Sequence, residues 1–302
     1  EFGRLLYFKA NHRKVLISGR SESWGSLIVG SFNPADGSGY HSNTAVRVTG
    51  PIAEYAAVSE LAVAEWSSEK AGQVHRNVNV AATIHRIREL LKRLPDIPAL
   101  ATSTSSVIWL SEGAIRDAML EAINAAGAGS EIDGAIFYFS DRLLVEAFAA
   151  AIKRGVVVRL IMDPNRDAFG REKNGIPNRV VAPELMELAE EGDIRVRWAA
   201  THGEQFHSKA LRVRNAESDS LILGSGNWTR RNLANLNLEA NLHFEQAGVL
   251  GTDFDRYFES IWSNDAGYEE TLPYADWAET GWSLTWKTWL YRFQEWSGAS
   301  TF

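Results

Sequence analysis

The chain has 302 residues, 45% hydrophobic and 23% charged, with a formal net charge of −7. That length and balance suit a globular chain with a real core and exclude disorder, while the acidic excess disfavours a broad nucleic-acid surface but leaves room for a local basic pocket. The absence of cysteine removes thiol catalysis, disulfides and Cys-ligated zinc together.

The opening residues lack the charged-then-apolar pattern of a secretory leader, so one is expected to be absent or already removed. The longest apolar runs, such as the one at Val156, are strand-sized and far short of a membrane span. In chain order, an apolar stretch at 5–8 precedes His12, and 14–17 predicts a strand with 26–29 as its partner. Residues 44–48 read as a further strand, followed by a helix ending at Trp66, and a linker is expected over 94–98. From 115 to 126 apolar residues recur at helical spacing. A buried strand is predicted at 135–139, then Ser140 and Asp141 open a helix over 143–153 that Gly155 stops. Residues 156–162 predict a buried, parallel-type strand, and Asp163-Pro164-Asn165 ends it at a turn, a reading preferred to a site role for Asp163. Residues 183–191 predict a helix and 194–198 an alternating strand. A strand at 209–213 pairs with 221–223, and one at 240–244 leads into a helix ending at Trp262. Strands alternating with helices at these lengths indicate an α/β fold, a sheet flanked by helices.

Two stretches repeat a set of phosphate-handling residues. The first is His12, Lys14, Gly30, Ser31 and Asn33; the second is His207, Lys209, Gly224, Ser225 and Asn227. The histidine-to-glycine spacing is 18 in the first and 17 in the second. Phosphodiester cleavage needs a nucleophile, a proton donor for the leaving alcohol, and positive or N–H groups around the non-bridging oxygens. Histidine serves either of the first two roles near neutral pH. Lysine supplies a compact charge, and Asn and Ser add neutral donors beside a glycine that permits close approach. On a strand, His and Lys two residues apart share a face. The two stretches continue in parallel through a strand to a Trp-ended helix, an internal repeat of order rather than of identity.

These residues resemble the phospholipase D superfamily, whose signature is His-x-Lys, four residues, Asp, then Gly-Ser/Gly-x-Asn. The resemblance implies two similar α/β halves about a pseudo-twofold axis, residues 1–98 and 99–302, with one site between them and a Trp-rich C-terminal helix on the second. Because only eleven residues precede His12, the first half is expected to lack an N-terminal piece, as a missing segment or a companion chain. Both copies depart from the signature at the acidic position, which holds Gly19 and Arg214. The superfamily also places an acidic residue ten to twelve positions after the motif Asn, bonded to the catalytic His. Glu239 fits the second copy and Asn43 the first. On that basis Glu239 is expected to partner His207 and Asn43 to partner His12, making His12 the nucleophile and His207 the acid/base.

The expected catalytic residues are therefore His12, Lys14, His207, Lys209 and Glu239. Ser31, Asn33, Asn43, Ser225 and Asn227 are expected to bind substrate. No cofactor or metal is implied, and no His-x-x-x-His spacing occurs among the seven histidines. The preferred reaction is phospholipase D-type hydrolysis of a glycerophospholipid headgroup diester through a phosphohistidine. Cardiolipin synthase-like transfer, metal-independent nuclease action and non-catalytic phosphate or lipid binding stand as alternatives. Expected partners are a phospholipid or other phosphodiester and a membrane surface, with nucleic acid disfavoured, in a secreted, periplasmic or membrane-associated setting. His75, His85, His202 and His243 read as surface or structural residues. Trp282, Trp286, Trp289, Phe293 and Trp296 form one helical stripe. So regular a stripe is expected to dock on the core, the competing reading being a lipid-facing surface.

Overall fold

Residues 10–20, 23–71, 80–93, 106–168, 171–215 and 218–297 are described by a computed structural model. The apolar stretch at 5–8, the linker at 94–98 and His75 lie outside them. The chain forms two compact units that interleave along the sequence, so neither is one continuous stretch.

The smaller unit, Val15–Val29 with Val46–Thr104, contains a three-stranded sheet. Its strands β1 (Val15–Arg20) and β2 (Ser23–Gly30) run antiparallel with Val15 opposite Val29, and β3 (Ala45–Thr49) follows β2. Two helices complete it, α1 (Ile52–Ala71) and α2 (Val80–Leu91), and Arg88 of α2 pairs with Glu65 of α1.

The larger unit comprises Glu1–Lys14, Gly30–Ala45 and Ser105–Phe302. In chain order its elements are β4 (Val107–Ser111), α3 (Gly113–Ala125), β5 (Glu131–Ile136), α4 (Arg142–Lys153), β6 (Val157–Met162), the short pair β7 (Asp167–Ala168) and β8 (Arg171–Glu172), and α5 (Asn178–Met186). There follow β9 (Ile194–Ala199), β10 (Lys209–Arg214), β11 (Asp219–Gly224), α6 (Arg230–Leu233), β12 (Ala240–Phe244), α7 (Gly248–Ser263), β13 (Thr271–Pro273) and α8 (Gly281–Ser297). Eight strands form one sheet in the order β13-β9-β6-β5-β10-β11-β12-β4. β5, β6 and β9 are parallel, joined through α4 and α5; the other neighbours pair antiparallel. In the parallel centre β5 is buried from Ile132 to Ile136 and β6 from Leu160 to Met162.

Local chemistry fixes the boundaries. Asp141 caps α4 by accepting from Leu144 N at 3.2 Å; Leu144, Val145, Phe148 and Ile152 form its buried stripe, and Gly155 ends it with φ +85°. Phe139 packs edge-on against Phe148 and Trp228, and a Cβ on Gly134 would lie 2.9 Å from Leu160. That crowding explains a glycine in a central strand.

Three expectations are corrected. The strand placed at 135–139 is Glu131–Ile136, because beyond Ile136 the chain leaves the ladder: Phe137 N donates to Ser208 O and Phe139 N to Asn178 Oδ1. The helix expected to start at Pro183 starts at Asn178, opened by Arg179 N to Gly175 O and Val180 N to Pro177 O. The aromatic stripe on α8 does not dock on the core; it is exposed, and Lys287, Tyr291 and Glu295 are the buried residues of that helix. Among the described residues no helix is long and apolar enough to cross a membrane.

Candidate active site

All ten expected site residues fall in the larger unit. Two short backbone pairings assemble them. His12 N donates to Leu238 O and Leu238 N to Ala10 O, both at 2.9 Å, so the first motif lies beside the segment that ends in Glu239. Ser42 N donates to Gln205 O at 2.9 Å and His207 N to Ser42 O at 2.8 Å, so the second motif lies beside the segment that carries Asn43. The partners are therefore crossed. His12 Nδ1 meets Glu239 Oε1 at 2.7 Å, and His207 Nδ1 meets Asn43 Oδ1 at 3.1 Å. The expected pairing of Glu239 with His207 and Asn43 with His12 is reversed, because each partner follows one motif in sequence but packs against the other in space.

The support is alike in both copies. Ser31 Oγ donates to Asn43 Oδ1 and accepts from Thr44 N; Ser225 Oγ donates to Glu239 Oε2 and accepts from Ala240 N. Both serines are fully buried. They hold the histidine partners rather than line the cavity, and Asn43 likewise supports His207, unlike the substrate-binding places expected for these three. The motif glycines make this possible. A Cβ on Gly30 would lie 2.8 Å from Thr44 O, and one on Gly224 2.3 Å from Ala240 O. Glycine is needed here for the approach of a neighbouring backbone.

Hydrogen-bond logic sets the ring states. Asn43 Nδ2 donates to Ser38 O and His41 O, both at 2.9 Å, which turns Oδ1 towards His207. An amide oxygen only accepts, so His207 Nδ1 carries the hydrogen and Nε2 keeps its lone pair. Burial, then Lys209, Lys14, His12 and His41, depress the pKa of His207 strongly, favouring the neutral ring. Glu239, fully buried, gives His12 the opposite company, a carboxylate oxygen on Nδ1 in place of an amide oxygen. Asn232 Nδ2 also donates to this carboxylate.

The lysines turn inward with their histidines. Lys14 Nζ donates to His12 O at 2.7 Å, and Lys209 Nζ to His207 O at 2.6 Å. Burial lowers the Lys14 pKa to about 8 against the raising effect of Glu239, and burial and Lys14 hold Lys209 well below its ordinary value. Both motif amides, Asn33 and Asn227, border a cavity of about 240 Å³ shared with His12 and His207. Asn227 Oδ1 has no hydrogen-bond partner among the described residues.

Other cavity residues carry no local sequence signal. Tyr138 and Lys173 contact each other through Oη and Nζ, and Gln205, Arg231 and Asn237 complete the wall. Asp163, read as a turn residue, is fully buried and accepts from Phe206 N at 2.7 Å and Asn165 N at 2.6 Å, fixing the segment before His207. Burial pushes its pKa to about 7, with those hydrogen bonds opposing. Its signal was the Asp-Pro-Asn ending of a buried strand, which is equally that of a plain turn. Arg214, at the position of the signature Asp, stands at the far end of β10 in ion pairs with Glu131, Asp133 and Asp255. Gly19 lies in β1 of the smaller unit. Among the described residues no group of three or more His, Asp and Glu is placed to hold a metal ion.

Residues 119–262 match the family model described as cardiolipin synthase, PLD-like domain. Phosphatidylserine synthase from Haemophilus influenzae Rd KW20 shares the fold, with a TM-score of 0.59 and 12% identity over 98% of this chain and 70% of that one. Residues 119–262, just under half of the chain, are thus similar to a phospholipase D-like domain. A second solved structure, the phospholipase D family member Nuc of Salmonella typhimurium, matches 56% of this chain and 98% of its own at 22% identity and a TM-score of 0.43. No curated protein sequence matches.

Proposed function

We propose that this chain cleaves a glycerophospholipid headgroup diester in two covalent steps, with His207 as nucleophile and His12 as acid/base. The observation that carries the reading is the unlike, crossed pair of histidine partners: an amide oxygen on His207 Nδ1 and a buried carboxylate on His12 Nδ1. Neutral imidazole with a free Nε2 is the better nucleophile, and imidazolium the better acid. This reverses the roles expected from sequence, for the same electrostatic reason applied to the observed partners.

In the first step His207 Nε2 forms a bond to phosphorus while the bond to the headgroup oxygen breaks, and His12 gives that oxygen its proton. In the second, a water gives a proton to His12 and attacks phosphorus, the N–P bond breaks, and phosphatidic acid leaves. Asn33 and Asn227, which border the cavity, donate to the non-bridging oxygens, and Lys14 and Lys209 add positive charge beside the two histidines, where fixed donors and charges count most as negative charge builds. The family model's description favours one further outcome, interception of the phosphohistidine by an alcohol instead of water.

Acid quenching of a reaction with a radiolabelled short-chain phospholipid, followed by peptide mapping, tests the assignment. Label is expected on His207 and absent from the His207→Ala variant. Label on His12 overturns the roles, and the absence of both label and turnover overturns the enzymatic reading. Adding glycerol distinguishes hydrolysis from transfer by the product formed.

A further inference from the structure

Helix α8 is inverted in polarity. Its buried face carries Lys287, Tyr291 and Glu295, and each is bonded inside: Lys287 to Glu279, Tyr291 Oη to Ser140 O at 2.8 Å, and Glu295 Oε1 to Ser140 Oγ at 3.0 Å. The opposite face holds Trp282, Trp286, Trp289, Phe293 and Trp296, exposed to 85%, 43%, 68%, 48% and 79%. Trp289 stacks on Phe293 at 5.9 Å, and Phe293 lies 6.2 Å from Trp296, so the side chains form a continuous surface. A helix that merely covers a core places its residues the other way round, and a contiguous apolar patch outside marks a contact surface.

We infer that the aromatic face of α8 seats the protein on the surface of a phospholipid bilayer, next to the catalytic cavity. Three observations select lipid over another protein surface. Tryptophan makes up four of the five side chains, the residue favoured where hydrocarbon meets polar headgroups. The helix exposes one formal charge, that of Arg292, and no carboxylate, although the chain carries a net −7. Anionic headgroups thus meet a locally positive, otherwise uncharged face. Finally, the helix joins the site: Arg230 donates to Glu295 O, and the next residues of α6, Arg231 and Asn232, line the cavity. This inference builds on the glycerophospholipid reading, since a substrate held in a bilayer must be met at its surface.

The test pairs two measurements on the full chain and on a Trp289→Ser/Phe293→Ser variant, whose changes lie on the exposed face away from the catalytic residues. Binding is measured by co-sedimentation with phosphatidylcholine/phosphatidylglycerol vesicles and by quenching of tryptophan emission with lipids brominated in the acyl chain. The wild type is expected to bind and be quenched, and the variant to bind about tenfold or more weakly. Turnover of bis(p-nitrophenyl) phosphate, which needs no surface, is expected to agree within about twofold between the two proteins. Failure of the wild type to bind, equal binding by the variant, or a variant-sensitive dimer in light scattering without vesicle binding each overturns the inference. Vesicle binding without turnover of the soluble diester would sink the enzymatic reading and leave the bilayer contact standing.

Discussion

Replacing Glu239 by Gln tests whether His12 acts as the acid. Glu239 Oε1 accepts from His12 Nδ1 at 2.7 Å and Oε2 from Ser225 Oγ. A glutamine keeps an acceptor on the first side, and its new NH₂ can donate to Ser225 Oγ, which already accepts from Ala240 N at 3.0 Å. A hydroxyl oxygen has two lone pairs, so the fold tolerates the change. What is lost is the charge in a buried hydrogen bond, about 1.5–3 kcal/mol, or roughly 10- to 150-fold in rate. In the first step, before His12 takes a proton from water, that loss falls only where the leaving group needs a proton. A headgroup alcohol departs as a poor alkoxide unless protonated, whereas p-nitrophenolate leaves unaided. For Glu239→Gln, the first-step rate read as a pre-steady-state burst should fall by the full factor on a short-chain phospholipid, and by less than about threefold on bis(p-nitrophenyl) phosphate. Taking the ratio between substrates cancels any weaker phosphate binding caused by removing a carboxylate that supports Lys14. Equal losses on both substrates would refute the role of His12 as acid.

Asn43→Ala should behave differently. It removes the acceptor that fixes His207 Nδ1, so the nucleophile loses its set tautomer and both substrates should slow by about 10- to 100-fold, read as a slower burst in stopped flow; selective loss on the phospholipid alone would contradict it. Restoring the superfamily's acidic position with Arg214→Asp should harm rather than help. The new carboxylate would face Glu131, Asp133 and Asp255, with Asp133 buried, costing about 3 kcal/mol in urea unfolding with no gain in kcat; an active, equally stable variant would refute the structural role given to Arg214. The free-enzyme profile of kcat/KM should decline as pH rises through about 8, where Lys14 loses its proton. The sign follows because burial lowers the lysine pKa and only the charged form attracts a diester. Lys14→Arg, slower overall, should carry that decline to higher pH, since guanidinium stays charged; an unmoved limb would assign it to another group.

Much of the fold was legible in the sequence. The strands at 14–17, 209–213 and 240–244 and the capped helix after Asp141 appeared close to their predicted places, because alternation, apolar runs and caps are local signals. The errors have long-range causes. Residues 137–139 are as apolar as a strand, yet the ladder ends at Ile136 because Phe137 is drawn to Ser208, seventy-one positions on, and with Tyr138 walls the cavity. The α8 stripe was read with the right period and the wrong side, since periodicity shows that a face is apolar but not which way it turns.

The same division holds in the site. By itself the sequence determined the residue types: two histidines, two lysines, two Gly-Ser-x-Asn turns and two unlike candidate partners, because these lie at short spacings along one chain. Only the tertiary structure decided who partners whom. Backbone pairing of 10–12 with 238, and of 42 with 205–207, carries Glu239 to His12 and Asn43 to His207 across separations of 227 and 164 residues. Each ring takes its hydrogen-bond partner from its neighbour in space, so the roles of nucleophile and acid proposed above follow from which segments lie side by side in the fold.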